Sequence, residues 1–540
     1  MNVAFDPWIP VVNLSGERTL VSLCEVFTEG EKIADLAVRP HERVALMRLF
    51  LCVAHAALDG PKDYDEWLVV PKNLPEATQK YLEHWKDSFE LFHETKPWLQ
   101  VVELKRAGAN GKTSPVALLD FELATGNNST LFDHQGVLEP RNTKSYRLAL
   151  NLLTYQNFSS GGGSPIAQWK STKTKQVGNP DAPCLSQSMA HCLFRGSSLA
   201  GTVHLNLPSF KTVERVYKAF SISKKAIEIV DVDLGRPVWE FFPDSPGDET
   251  DKAINATKTY IGRLVPLSRW IRLIKDTDQM YCCNGFKYDT FRDGFASEPT
   301  AAVYVARKAD KKGAVTSERK VVSVNPSKAL WRELSALLIN RAAFGLGGPL
   351  AMENAPHDCE FDFHVCAMTR DQASMDIAIE SVFHITPKFQ VHLASYQNEV
   401  TGAQKVLGAE GYAKKLRKAI EEYRSKADGY WKRRVEITEP KKREWLKDTL
   451  AKMALLSYWT DVEKNLHLLT THIEAIESDD AIPTRKAWRK MLFTSACDAY
   501  RIACGQETPR QMKAFTKGWQ ILTRTEQEIR SDDITEEVQA

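Results

Sequence analysis

The sequence contains no run of about 18 consecutive apolar residues, the length that a membrane-spanning helix requires. Its beginning, MNVAFDPWIPVV, lacks the basic patch and apolar run of a secretory signal, so we expect a cytoplasmic protein with no membrane partner. Pairs of the CxxC type are absent, and the ten cysteines are scattered singly apart from the adjacent Cys282 and Cys283. Zinc sites usually show two such pairs. We therefore expect no metal, no cofactor, and cysteines that act as small buried apolar residues.

Recognisable catalytic signatures are missing as well. The sequence has no HExxH, GxSxG, Walker A or GxGxxG motif, and its carboxylates form no motif that marks a paired acid–base site. A Cys–His hydrolase with a helical cap is still compatible with so long a chain, because the two catalytic partners need only meet in space. The missing motifs therefore favour a protein that is not an enzyme, with a cytoplasmic hydrolase as the alternative.

Net charge is close to zero, at +2, which is low for a protein that binds nucleic acid. Local excess of positive charge is nevertheless what attracts phosphates. Residues 405–448 contain fourteen Lys and Arg against eight Asp and Glu, and shorter basic stretches lie at 170–175 and 307–320. Each stretch is compatible with an ordinary solvated surface or with a phosphate-binding surface.

The length of 540 residues predicts two domains, because a single hydrophobic core rarely supports so many residues. Residues 1–384 mix short helical and strand-like segments, which predicts a mixed α/β domain. In this part the spacing predicts helices at 42–58 and 75–92 and strands at 199–207 and 301–307. From residue 385 to 540 the pattern changes to long amphipathic helices, so the predicted fold class is α+β.

The helical part shows three clear segments. In the first, one apolar stripe is formed by Leu455, Trp459, Val462, Leu466, Leu469, Ile473 and Ile476. A second helix is predicted from Pro483 to a C-cap at Gly505. A third begins with Thr508 as N-cap and Pro509 in the first turn. With a helix between about 396 and 430, this pattern predicts a C-terminal four-helix bundle.

A loop with three consecutive glycines spans Phe158 to Pro165. Glycine has no Cβ, so this backbone can adopt positive φ angles and can approach another surface closely. The loop is compatible with a flexible connection or with a backbone platform that enters a DNA groove too narrow for side chains.

Several short segments occur in the order found in one known family. They are Phe5-Asp-Pro-Trp-Ile-Pro10, Leu91-Phe-His-Glu-Thr-Lys-Pro-Trp-Leu-Gln100, the triple-glycine loop, Phe194-Arg-Gly196, Arg236-Pro-Val-Trp-Glu240 and Arg370-Asp-Gln-Ala-Ser374. Together they resemble the large subunit of the bacterial type I-E CRISPR Cascade complex, a family often called CasA. Single segments are weak signals, but the ordered set is specific and covers most of the first domain.

The resemblance implies a non-catalytic subunit of an RNA-guided antiviral complex. In that family the subunit reads the protospacer-adjacent motif (PAM) from the minor groove and starts opening of the duplex to form an R-loop. The implied partners are the other Cascade subunits, the crRNA, double-stranded target DNA and a helicase–nuclease that does the cutting. The large subunit of another CRISPR effector subtype is an alternative with the same task.

The family reads the motif with a glycine loop, a lysine finger and a glutamine wedge. By resemblance, Gly161, Gly162 and Gly163 form the glycine loop. The lysine finger is Lys287, with Arg292 as the alternative.

The resemblance places the wedge glutamine at Gln372. Its neighbour Asp371 stands where a relative has asparagine, so a carboxylate replaces an amide beside the DNA phosphates.

One further set of residues follows from the same resemblance, and a second follows from the local excess of positive charge. Asn128, Leu131 and Phe132 match a loop that docks the subunit near the 5′ handle of the crRNA and the adjoining subunits. In the basic stretch, Lys414, Lys415 and Lys418 are the candidates for contacts with the DNA backbone.

Overall fold

We describe the protein from a computed structural model. The structure describes residues 1–106, 113–123, 143–162, 166–170, 172–174, 181–221, 234–247, 250–288, 298–309, 315–340, 347–356, 358–371, 375–402, 407–427 and 440–537. The chain divides into two compact units, Met1–Ile385 and Thr386–Ala540. This division lies one residue after the boundary predicted at 384.

The first unit mixes helices with short strands, as expected for a mixed α/β fold. Its helices are α1 (Leu23–Thr28), α2 (Pro40–Leu58), α3 (Tyr64–Leu68), α4 (Val70–His84), α5 (Ser145–Phe158), α6 (Leu199–Asn206), α7 (Phe210–Ser221), α8 (Asp251–Lys258), α9 (Tyr260–Leu264) and α10 (Leu334–Leu337). Its strands are β1 (Ile9–Asn13), β2 (Arg18–Val21), β3 (Ile33–Leu36), β4 (Leu104–Arg106), β5 (Ser114–Pro115), β6 (Ala167–Trp169), β7 (Thr172–Lys173), β8 (His191–Arg195), β9 (Arg269–Leu273), β10 (Gln279–Asn284), β11 (Val303–Ala309), β12 (Val315–Val321), β13 (Phe361–Asp371) and β14 (Met375–Ile385).

The strands form small antiparallel sheets rather than one large sheet. The strand orders are β2-β1-β3, β4-β6-β7, β5-β10-β9, β14-β13-β8 and the hairpin β11-β12. In the longest pairing, β13 and β14 stay in register from Phe361 opposite Ile385 to Asp371 opposite Met375. The other edge of β13 pairs with β8, where Cys366 lies opposite His191.

Helix α2 lies at the centre of the first unit. Every residue from His41 to His55 is buried, so the helix is covered on all sides rather than on one face. The predicted helix at 42–58 is therefore confirmed. The predicted helix at 75–92 is correct only in part, because α4 begins at Val70, ends at His84, and is followed by a 3₁₀ turn at Lys86–Phe89.

The strand predicted at 199–207 is wrong, because this segment forms helix α6. Its buried residues are Leu199, Thr202, Val203 and Asn206, which have the spacing of one helical face. Ser198 caps the helix by accepting a hydrogen bond from Gly201 N at 3.1 Å. The alternating apolar residues that suggested a strand therefore belong to a helix. The nearest strand, β8, ends a few residues before this helix begins. The strand predicted at 301–307 is confirmed for residues 303–307, because β11 begins at Val303 and ends at Ala309.

The second unit is helical. It contains α11 (Pro387–Val391), α12 (Leu393–Thr401), α13 (Ala409–Ala427), α14 (Pro440–Lys464), α15 (Leu466–Ala475), α16 (Ala481–Ala503) and α17 (Pro509–Glu537). The predicted continuous stripe from Leu455 to Ile476 is interrupted, because Asn465 has non-helical backbone angles and separates α14 from α15. Among the helices in the described ranges, none has the length and apolar character needed to cross a bilayer.

The four-helix bundle is not confirmed as predicted. The long helices α13, α14, α16 and α17 do pack on one another, and Tyr458 Oη donates to Ala409 O at 2.8 Å between two of them. Helices α11, α12 and α15 add to this core. Helix α16 ends at Ala503, with Cys504 rather than Gly505 at its C-cap. The predicted cap at Thr508 is confirmed, since its Oγ1 accepts from Gln511 N at 3.2 Å.

Candidate nucleic-acid interface

The glycine loop begins directly after α5. Gly161 N donates to Asp181 Oδ1 at 2.6 Å, which fixes the start of the loop. Gly162 has a φ of +147°, and a Cβ added there would have no atom within 4 Å. Its backbone therefore faces open space in a conformation that favours glycine. Gly163 lies outside the described residues.

The residue before this loop is anchored in a small buried cluster. Phe158 is fully buried and shares the cluster with Cys366 and Met368 of β13. The ring of His41 in α2 meets Phe158 edge-on at 6.1 Å. The end of α5 and the middle of β13 are thus packed together, so the glycine loop and the β13–β14 hairpin begin from one shared core.

Lys287 is exposed between two buried aromatic residues. Phe286 packs edge-on against Trp270 at 4.7 Å, and the Tyr288 hydroxyl accepts a hydrogen bond from Leu267 N at 2.6 Å. Gly285 permits this packing, since a Cβ there would lie 2.4 Å from Leu267 O. The backbone on each side of Lys287 is thereby held in place while its side chain reaches solvent.

Hydrogen bonds connect the Lys287 segment to the glycine loop. Arg269 Nη2 donates to Ser160 O at 2.5 Å, and the hydroxyls of Ser268 and Ser159 lie 3.2 Å apart. Gly285 N donates to Ser268 O at 3.0 Å. Ser268 and Arg269 therefore contact both segments, and Gly161 and Lys287 each lie within two residues of these contacts.

The β13–β14 hairpin carries the remaining candidates at its tip. Asp371 is the last residue of β13 and pairs with Met375, the first residue of β14. Gln372 itself lies outside the described residues, and only the backbone of Asp371 is described. The hairpin joins the rest of the unit through β8, where His191 Nε2 contacts Cys184 O at 2.9 Å.

The other predicted residues belong either to the part of the chain that the structure does not describe or to the second unit. Asn128, Leu131, Phe132 and the alternative finger Arg292 lie outside the described residues. Lys414, Lys415 and Lys418 belong to α13 in the second unit. Lys414 and Lys418 are exposed one turn apart, and Lys415 is half-buried.

Described cysteine–histidine neighbours do not have the properties of a hydrolase site. His191 contacts the backbone carbonyl of Cys184 rather than its thiol. Burial raises the pKa of the Cys184 thiol to about 12, whereas a catalytic cysteine needs a lowered pKa. His55 is buried between Gly60 O, at 2.9 Å, and the Tyr260 hydroxyl, at 3.1 Å, which is a structural role.

Sequence reasoning missed Ser268, Arg269 and Asp181, the residues that hold the candidate loops. Ser268 and Arg269 lie more than 100 positions from the loop that they contact, and no local pattern links them. Most family-like segments, by contrast, contribute core residues. Trp8 and Trp98 meet edge-on at 5.9 Å in the core, and Trp239 Nε1 donates to the Tyr81 hydroxyl at 2.7 Å.

Known structures share this fold across nearly the whole chain. The crystal structure of Thermus thermophilus CasA superposes with a TM-score of 0.69 at 21% identity, covering 98% of this chain and 99% of that one. A chain from a structure described as a CRISPR RNA-guided surveillance complex gives a TM-score of 0.69 at 16% identity, covering 97% and 99%. The architecture is therefore that of the CRISPR-associated CasA structures.

Sequence comparison gives the family. The family model described as CRISPR-associated protein Cse1 matches residues 2–499, so the chain belongs to the Cse1 family, also called CasA. The CRISPR-associated protein CasA/Cse1 of Thermus thermophilus is 28% identical over 347 residues, which cover 62% of this chain and 60% of that relative. The resemblance inferred from the ordered segments is confirmed.

Proposed function

We propose that this chain is the DNA-recognition subunit of a type I-E Cascade complex. It reads the PAM from the minor groove, destabilises the adjoining base pairs to begin the R-loop, and recruits a helicase–nuclease. One observation carries the proposal: the starts of the glycine loop, of the Lys287 segment and of the β13–β14 hairpin are joined through a shared network around Phe158, Ser268 and Arg269. Three elements with one anchor can act on one short stretch of DNA.

The chemistry of the loop elements suits the minor groove. This groove is narrow and mainly distinguishes A·T from G·C pairs. An open glycine backbone at Gly162 can enter it without side-chain clashes, and an exposed lysine at Lys287 can donate to the acceptor atoms on the base edges. Such a reader should accept several related motifs, because the groove itself offers a degenerate pattern.

The hairpin supplies the opening step. A side chain wedged between base pairs costs a few kcal/mol of lost stacking for each step. Pairing with the guide RNA then replaces DNA pairing at nearly equal free energy, so protein contacts decide whether opening begins. Gln372, which follows the last paired residue of β13 in the sequence, is the proposed wedge. Asp371 beside it lowers the local positive charge, which limits phosphate binding at the tip.

The proposed role of this subunit requires binding to DNA and to partner proteins, but no catalysis. The family's cutting enzyme is a separate helicase–nuclease, so we propose no catalytic site in this chain. The loop at Asn128, Leu131 and Phe132 is the proposed contact with the crRNA handle and the neighbouring Cascade subunits. The solved relative described as part of an RNA-guided surveillance complex supports assembly of this kind.

Reconstitution tests the proposal directly. The chain should co-purify with a guide RNA and the Cascade backbone subunits, and the assembled complex should bind a supercoiled target more tightly beside one set of PAM sequences than beside others. Omitting the chain should abolish this discrimination. A complex that discriminates equally well without it would refute the proposal, and intrinsic hydrolytic turnover by the isolated chain would favour the hydrolase alternative.

Replacing Gln372 with alanine should slow duplex opening about tenfold while leaving the initial PAM contact largely intact. The amide would no longer occupy the space between base pairs, so the cost of unstacking during opening would not be offset. Opening is measured by the fluorescence of 2-aminopurine placed next to the PAM. Gln397→Ala, on helix α12 of the second unit, is the control and should open DNA at the normal rate. Unchanged kinetics in Gln372→Ala would remove the wedge assignment.

Reversing the charge of Lys414, Lys415 and Lys418 should weaken DNA binding and reduce its dependence on salt. The slope of log K against log salt concentration is negative, and every phosphate that the protein no longer neutralises reduces its magnitude by about 0.9. The slope is measured by titrating labelled duplex at several salt concentrations.

Lys513 and Lys517, which are exposed one turn apart on α17, provide the matched control for a double reversal of Lys414 and Lys418, the exposed pair on α13. Reversing them should change the slope less than reversing the α13 lysines does. Equal effects would show a general response to net charge, and an unaltered slope in the α13 variant would make that face an ordinary solvated surface.

A further inference from the structure

We propose that His364, Cys366 and Glu380 form a binding site for a zinc ion that links the two strands of the β13–β14 hairpin. The proposal does not depend on the DNA-recognition function, because it concerns metal binding by the chain alone. The three side chains supply one nitrogen, one sulfur and one oxygen ligand, and these ligand atoms all lie within 4.8 Å of one another.

The strand geometry brings these residues together. His364 and Cys366 alternate along β13, so both side chains lie on the same face. Glu380 lies directly opposite Cys366 in the antiparallel register, and its carboxylate already contacts His364, with Nε2 and Oε1 2.5 Å apart. A metal ion would need only small side-chain rotations, because the backbone positions are set by the ladder.

The donor set favours zinc over magnesium or calcium. Imidazole and thiolate are preferred by zinc, whereas magnesium and calcium prefer oxygen ligands. Three protein ligands leave a fourth tetrahedral position, which water can fill on the side where Glu380 is 39% exposed. His364 and Cys366 are buried, so the other sides of the site are enclosed by protein.

Protonation and nearby charge are compatible with binding. Burial and the neighbouring Arg43 lower the pKa of His364, so the imidazole is neutral and can donate its lone pair. Burial raises the pKa of Cys366 to about 12, so metal binding must release the thiol proton to solvent as the metal–sulfur bond forms. Arg43 Nε lies 3.9 Å from Glu380, but this guanidinium is also paired with Asp35, at 2.5 Å, which offsets its charge.

The expectation of no metal followed from the missing CxxC pairs. The CxxC pattern identifies metal ligands that lie on tight turns. Ligands on a strand instead lie two residues apart, which places them on one face, and a further ligand comes from the neighbouring strand. A zinc ion here would cross-link the hairpin five residues before Asp371 and hold its strands together at that level.

Cobalt and zinc titrations of the full-length chain test the site. After chelator treatment, about one equivalent of Co²⁺ should bind and give the near-ultraviolet band of cobalt–thiolate bonding. Zn²⁺ should displace the cobalt and raise the melting temperature. The variant Cys366→Ser should lose the thiolate band. Cys359→Ser, which removes an exposed cysteine near the same strand, should keep it.

Because Cys366 is fully buried, its serine variant could fold poorly, so Glu380→Gln gives the second test. This change keeps the size of a side chain that is partly exposed, and it should weaken cobalt affinity at least about tenfold while leaving the circular dichroism spectrum unchanged. Absence of a thiolate band in the unmodified chain, or a band that depends on Cys359, would overturn the proposal.

Discussion

Replacing Gly162 with valine should weaken binding to a duplex target at least about tenfold, equivalent to about 1.4 kcal/mol. Binding to the matching single-stranded target should not change. Gly162 faces open space, so the new side chain would fill the gap that a DNA groove would occupy in the proposed complex. Its φ of +147° would also strain valine, by about 1–3 kcal/mol, and shift the loop backbone. The measurement is a gel-shift titration of the assembled complex with both targets.

Gly16 provides the matched control for this substitution. It has a φ of +85° in the turn between β1 and β2, and a Cβ there also meets no atom within 4 Å. Gly16→Val should therefore suffer similar backbone strain and a similar fall in melting temperature, with normal binding to both targets. Equal loss of duplex and single-strand binding in Gly162→Val would show that the loop does not act in the groove.

The family and the general architecture could be predicted from sequence because they depend on core residues at fixed positions. Trp8 is buried within the FDPWIP segment and packs on Trp98 from the second segment. Large aromatic side chains in such places tolerate little change, since interiors are closely packed. The order of these landmarks along the chain therefore identifies the fold, and the change from mixed to helical patterning separates the two units.

Local patterns failed where tertiary contacts decide the structure. Residues 199–207 contain an alternating apolar run, yet Asn206 bonds both to Phe194 N, at 2.9 Å, and to Phe194 O, at 2.7 Å, and so ties the helical segment to β8. The stripe from Leu455 to Ile476 has continuous helical spacing, but Asn465 ends one helix and begins the next. Neither outcome is visible without the partner segment.

The candidate site likewise has features that the local sequence predicts and features that depend on tertiary contacts. The glycine loop is recognisable because three glycines are unusual, and its positive φ at Gly162 agrees with the reason for choosing glycine. The contacts of Ser268 and Arg269 with Ser159 and Ser160 join segments more than 100 residues apart, so no spacing rule could reveal them. A metal-ligand set divided between two strands is likewise hidden until the register of the hairpin is known.

A buried ion cluster supports the segment that leads into this site. Arg48 of α2 is completely buried and pairs with Glu298, which also accepts from Arg263 Nη2 at 3.0 Å. Arg48 further donates to the carbonyls of Leu264, at 3.1 Å, and Arg263, at 2.5 Å. These carbonyls lie just before Ser268, so the cluster fixes the chain that holds the glycine loop and the Lys287 segment.

Replacing Arg48 with methionine should destabilise the protein by about 3–5 kcal/mol, because removal of one partner leaves a buried carboxylate undercompensated. Burial opposes ionisation of Glu298, but Arg48 and Arg263 outweigh it and lower the pKa of this carboxyl, so the group stays charged in the folded protein. Two backbone carbonyls would also lose their donor. Urea denaturation followed by tryptophan fluorescence measures the effect.

Lys80→Met is the control, since the pair of Lys80 with Glu76 is exposed and such pairs contribute about 0–1 kcal/mol. A fall in stability below about 1 kcal/mol in Arg48→Met would mean that Arg263 alone compensates Glu298. The double variant Arg48→Met with Glu298→Gln separates the two contributions. Removing the carboxylate charge should recover part of the stability, whereas the two carbonyls that Arg48 no longer reaches would account for the part that is not recovered.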